Sequence, residues 1–259
     1  ITFFGQHWPT GADGKIEMYP AQALETYWDV KNPLPEIAGM KKVLQELQRL
    51  PHDLTTANQR SEWKKIAQSV PDLPIKKDEH DRDYLAVAGE NYSKSNNKEN
   101  VPLYSVFPYR LFGVGRDDLD LAKNSFTKKD FAEIYRCWHN DPVYAAHLGL
   151  TEQARAQLGS RFVYSGDHRY PAFYINGDWL PDHDNGGVAQ QTVQAMLLQA
   201  VDDKLYLFPA WPKEWDVEFK LHAPKNTTIE VILRNGELEK LDITPKARRD
   251  DLIIFGSQP

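Results

Sequence analysis

The sequence predicts a mainly α fold that ends in a small β module. Two observations carry this reading. Apolar residues recur at three- and four-residue spacing in several stretches of the first two hundred positions, and the spacing changes to strict alternation after Gln199. A boundary is therefore expected near residue 202, between a helical region over 1–201 and an antiparallel β module over 202–259.

Leu34, Ile37, Met40, Val43, Leu44, Leu47 and Leu50 follow Pro33 and Pro35, the pattern of an amphipathic helix opened by prolines, and Pro51 stops it. Thr56 to Val70 reads as a second helix with Trp63, Ile66 and Ala67 on one face, ended by Pro71 and Pro74. The charged, Asn- and Ser-bearing stretch from Ile75 to Asn100 reads as an excursion over the surface. Helices are expected again over Asp117 to Thr127 and Lys129 to Leu148, the latter broken at Pro142, and Thr151 is expected to cap one that runs to about Phe162. An Asp-rich loop, Asn176 to Gly187, then precedes a helix over Val188 to Gln199. Beyond it, Leu205 and Leu207, then Val217, Phe219 and Leu221, then Ile229, Val231 and Leu233 alternate with polar residues. Asn235-Gly236 is a hairpin turn before Leu238, Leu241 and Ile243.

With 41% apolar and 26% charged residues the chain can bury a core, which argues against disorder. A net charge of -6 offers no basic footprint, so nucleic acid and anionic lipid are discounted as partners. No apolar run approaches the ~20 residues of a membrane span. Cys137 is the only cysteine, so cysteine usage does not reveal the compartment, and a first residue of Ile1 leads us to expect further chain upstream. No metal site is expected. His7, His183 and Cys137 lack zinc spacing, and Asp182 and Asp184 fit only the first two positions of a calcium loop, since Gly186 and Val193 stand where ligands belong. There is no glycine-rich phosphate loop and no nucleophile elbow.

Several of the seven tryptophans stand beside polar residues: His7-Trp8, Tyr27-Trp28-Asp29, Trp138-His139 and Asp178-Trp179. Such pairs suit a saccharide, whose apolar face rests on a ring while polar side chains hold its hydroxyls, and they suit core packing equally.

Four segments in order carry a resemblance. They are Leu103-Tyr104-Ser105-Val106-Phe107-Pro108; Cys137-Trp138 through Leu148-Gly149-Leu150-Thr151-Glu152-Gln153-Ala154-Arg155; Asp182-His183-Asp184-Asn185-Gly186-Gly187 with Met196-Leu197-Leu198-Gln199; and Leu205 through Pro212 with Trp215. Together they resemble glycoside hydrolase family 95, which includes α-L-fucosidases and α-L-galactosidases. Ile16 through Trp28 is unlike the fucosidase consensus, as in an uncharacterised branch. The resemblance implies the later helices of an (α/α)6 toroid followed by a β module, with upstream residues or another chain completing the toroid. It implies hydrolysis of an oligosaccharide or polysaccharide by two carboxylates, an inverting course, no cofactor, and a periplasmic or secreted location.

Glycosidic cleavage needs one carboxylic acid to protonate the departing oxygen and a second carboxylate on the opposite side of the sugar. By resemblance Asp182 is the base, with the glycine pair behind it letting the backbone approach the sugar. Glu25 is the acid, its pKa raised by Tyr27 and Trp28. Glu17 rivals Glu25. Asp178 and Asp184 rival Asp182, because an Asp-rich stretch before a helix also serves as an N-cap. His7, Trp8, Trp28, Trp179, His183 and Asp184 would line the sugar subsite. The alternative is a non-catalytic carbohydrate-binding or structural segment of a larger glycan-processing protein.

Overall fold

Prolines and caps set most of the helix starts. The structure, a computed structural model, describes residues 1–132, 136–163 and 181–256. The chain divides into two units: Ile1–Phe112 with Asp120–Ala132, and Gly113–Leu119 with Glu133–Pro259.

In the first unit a short helix α1 (Thr2–His7) leads through a loop to strands β1 (Ala21–Ala23) and β2 (Tyr27–Pro33). Helix α2 (Leu34–Arg49) begins directly after Pro33, with a second proline in its first turn. Pro35 lacks an N–H where none is needed, and its fixed φ already suits a helix. Helix α3 (Ala57–Ser69) starts with a reciprocal pair, in which Thr56 Oγ1 accepts from the Gln59 N–H and the Gln59 side chain accepts from the Thr56 N–H. Strands β3 (Ile75–Lys77) and β4 (Asp83–Leu85) form a hairpin, and β5 (Ala88–Asn91) joins β2 to make the sheet β1-β2-β5. Helix α4 (Leu119–Thr127) belongs to this unit from Asp120 onward. The apolar stripe of α2 supplies Ile37, Met40 and Leu44 to a core that includes Ile16, Met18 and Val70, with Phe4, Trp8, Trp63 and Ile66 packed on it.

In the second unit α5 (Asp141–His147), α6 (Thr151–Ser160) and α7 (His183–Leu197) precede the strands. Helix α7 runs directly into β6 (Leu198–Val201), which pairs with β7 (Lys204–Leu207), and β11 (Leu252–Ile254) lies parallel to β7 on its other side. Strands β8 (Val217–Ala223), β9 (Thr227–Arg234) and β10 (Glu237–Thr244) form an antiparallel meander. The alternation of β9 buries Ile229, Val231 and Leu233 against Leu197, Leu205, Leu207 and Ile243. Asn235 and Gly236 both take positive φ, as a two-residue turn matched to the twist of β9 and β10 requires.

The expectation of a mainly α chain, and of part of an (α/α)6 toroid, is overturned. Among the described residues seven α-helices stand beside eleven strands in four small sheets. Four of the five strands of the first unit are three or four residues long, too short to show a period, and β2, at seven, buries Tyr27, Val30 and Pro33 without alternation. Three of them, β3 to β5, lie in the stretch read as a surface excursion. Of these, β3 and β4 pair with each other, while β5 pairs with β2, about sixty residues earlier. The position near residue 202 falls in the turn between β6 and β7, inside the second unit.

Three local expectations also change. Pro142 opens α5 near its start; it does not break a longer helix, and over 129–148 the described helical residues are those of α5. Thr151 is the first helical residue of α6 and provides no side-chain cap. The run from His183 to Gly187, read as loop, is the first turn and more of α7, so Gly186 and Gly187 are helical and not a flexible backbone approach to a sugar.

Candidate functional site

The first unit holds a cavity of about 500 Å³ whose lining includes Phe4, Trp8, Pro20, Gln22, Trp28 and Glu36. The side chains arrive from α1, β1, β2 and α2, each for a local reason. Phe4 comes from α1, and Trp8 ends that helix by turning to extended backbone. The two rings lie 5.6 Å apart, tilted, and both rest on the core beneath α2. Trp28 faces outward from β2 and is 61% exposed, because its neighbour Tyr27 takes the inward position. The Trp28 indole is pinned by its N–H, which donates to the Glu25 carbonyl at 2.7 Å. A planar apolar face thus stays open to solvent at fixed orientation.

Glu36 is the third residue of α2, where a carboxylate meets the positive end of the helix and accepts from its own backbone N–H. Burial outweighs that help and pushes the carboxyl from the ordinary 4.5 up to about 7. Its Oε2 is buried and has no hydrogen-bond partner, and the same is true of Trp8 Nε1. The two residues that carry these buried atoms both line the cavity. Each such group costs about 1–3 kcal/mol while unsatisfied. Gly39, one turn further along α2, leaves room for the Tyr109 ring, which a Cβ there would meet at 3.1 Å. The Tyr109 phenol is pushed up first by burial and then by the charge of Glu36.

Of the residues expected from sequence, Trp8 and Trp28 are brought together here. Glu25 is exposed and reaches the cavity only through its carbonyl, which holds Trp28. Its rival Glu17 is ion-paired with Lys31 at 3.3 Å. His7 is exposed, stacked on Phe3 at 4.7 Å and edge-on to Trp8. Tyr27 does not desolvate Glu25: its hydroxyl donates to Asp130 at 2.6 Å, and burial followed by that carboxylate pushes the phenol up.

Asp182 belongs to the second unit, where it is 5% exposed and caps α7, its Oδ1 accepting from the Asn185 N–H at 2.9 Å. Asn185 joins a buried network around Arg161. That guanidinium donates to the carbonyl of Cys137 at 2.7 Å, to Asn185 Oδ1 at 3.1 Å and to the carbonyl of His139. Burial lowers its pKa to about 10, and Cys137, Asp141 and Asp182 oppose the fall. This arrangement ties the 137–139 loop, the end of α6 and the start of α7 together. His183 and Asp184 are exposed in the first turn of α7. Asp178 and Trp179 lie outside the described residues.

Glu36, Tyr109 and Arg161 were missed from sequence. Glu36 has one signal, an acid in the first turn after a double proline, which also describes an ordinary helix start. Among the described residues no three His, Cys, Asp or Glu side chains gather as a metal site, and no helix is long and apolar enough to cross a membrane. No family model matches the chain, and no curated protein matches it either.

Proposed function

We propose that the chain is a glycan-binding segment of a glycan-processing protein, and that it holds a saccharide in the cavity around Glu36. The observation that carries this is a cavity lined by the exposed Trp28 together with Glu36 and Trp8, each of which holds a buried polar atom without a partner. A pyranose answers all three at once: its C–H face rests on the indole, one hydroxyl donates to the carboxyl, and another oxygen accepts from the indole N–H.

Hydrolysis is a second reading, favoured by one observation. A carboxyl that titrates near 7 is half protonated at neutral pH, as a general acid must be. Cleavage needs a second carboxylate across the sugar, and among the residues lining this cavity Glu36 is the one acid.

Equilibrium binding to a panel of soluble oligosaccharides, followed by intrinsic fluorescence, tests the first reading. Trp28→Ala and Trp8→Phe should each weaken binding at least ten-fold. Binding that both variants leave intact would place the saccharide elsewhere, and release of new reducing ends that Glu36→Gln abolishes would establish the hydrolytic reading instead.

A further inference from the structure

Resting on the reading that this cavity holds a saccharide, we propose that its ligand is an amino sugar with a free ammonium group, paired with the Glu36 carboxylate and flanked by the rings of Phe4, Trp8 and Trp28.

The argument is one of charge balance. Glu36 brings the only formal charge among the residues lining the cavity, and no ion pair engages it among the described residues. The lysines nearest in the chain are committed. Lys31 pairs with Glu17, Lys41 lies 4.0 Å from Asp72, and Lys42 pairs with Glu46. A carboxylate withdrawn from water without a counter-charge is held at a cost, which a proton or a ligand cation removes. A neutral sugar leaves that cost in place, an N-acetylated sugar adds no charge, and an acidic sugar adds repulsion. An ammonium group supplies the missing charge and makes a charge-assisted hydrogen bond to the Glu36 carboxylate.

The surrounding rings point the same way. Aromatic faces attract cations through their quadrupoles, and a carboxylate among indole and phenyl rings is suited to ammonium recognition. The rings alone would accept any organic cation. The orphan N–H of Trp8 adds a demand for an acceptor oxygen beside the cation, and the open face of Trp28 adds one for a flat C–H surface. An amino sugar meets all three demands.

Calorimetric titration of the full chain with a glucosamine tetrasaccharide, its fully N-acetylated counterpart, cellotetraose and choline, at one ionic strength and pH 6.5, tests this. The glucosamine oligomer should bind at least ten-fold more tightly than either neutral oligomer or choline, and Glu36→Gln should reduce it to the neutral level. A preference for the amine that survives in Glu36→Gln comes from the acidic surface and overturns the proposal. Choline binding as tightly as the glucosamine oligomer overturns it in favour of an ammonium cage. Equal binding of all three oligomers, lost in Trp28→Ala, overturns the amine preference while the glycan reading stands. Binding by none of the oligomers removes both.

Discussion

Replacing Glu36 by Gln should make the protein more stable at pH 8 than at pH 4.5, relative to the parent chain. The carboxyl ordinarily titrates near 4.5 and in the folded chain near 7. Between those values the folded chain keeps a proton that the unfolded chain has released, so stability falls as pH rises through the window and the loss is complete above about pH 8. Each unit of pKa difference corresponds to about 1.4 kcal/mol, which for this carboxyl gives on the order of 3 kcal/mol. Water at the open side of the cavity lowers the effect toward about 2 kcal/mol. The amide of Gln carries no charge and removes the pH-dependent part, and any constant offset from burying it leaves the slope untouched. Tyr109, the group that feels Glu36, titrates above this window in both proteins. Urea unfolding of the two proteins at half-unit steps from pH 4.5 to 8.5 measures the difference. It should grow by about 2–3 kcal/mol in favour of the Gln variant; a flat difference would mean that Glu36 is not desolvated, and the cavity argument would fail with it.

Three further outcomes are expected. Asp182→Ala removes the cap of α7 and should cost about 1–2 kcal/mol in urea unfolding, while Asp182→Asn, which can still accept from the Asn185 N–H, should cost well under half of that. Arg161→Lys cannot reach three carbonyl and amide oxygens at once and should cost about 3 kcal/mol or more. Gly115→Ala faces both a positive φ and Tyr206 ring atoms about 2.5 Å from the new Cβ, so its midpoint should fall by an amount corresponding to about 2–4 kcal/mol, against about 1 kcal/mol for Gly14→Ala, where φ is positive but space is open.

Much of the helical framework was legible. The prolines before α2, the Thr56 and Gln59 pair before α3, and the alternation in β8 to β10 are local signals, and local signals survive any tertiary arrangement. Strands β1, β3 and β4 were not legible, because three residues carry no period, although each pairs within about ten residues along the chain. The site divides along the same line. Tryptophan beside polar residues marked Trp8 and Trp28, although Trp63 also stands between charged residues and, like Trp8, packs on the core. The carboxyl was misplaced: Glu25 stands next to an aromatic pair in sequence yet is exposed, and Glu36, eleven positions later, is the one that loses its water.

By itself the sequence determined where α2 and α3 begin and where the late hairpin turns. Tertiary structure alone decided which acid is desolvated, and that Asp182, a locally bonded helix cap, is buried. The physical reason is that a helix start or a turn depends on backbone groups a few residues apart, whereas the hydration of a carboxyl depends on every element that packs over it. Glu36 acquires its character from α1, β1 and β2 closing around the first turn of α2.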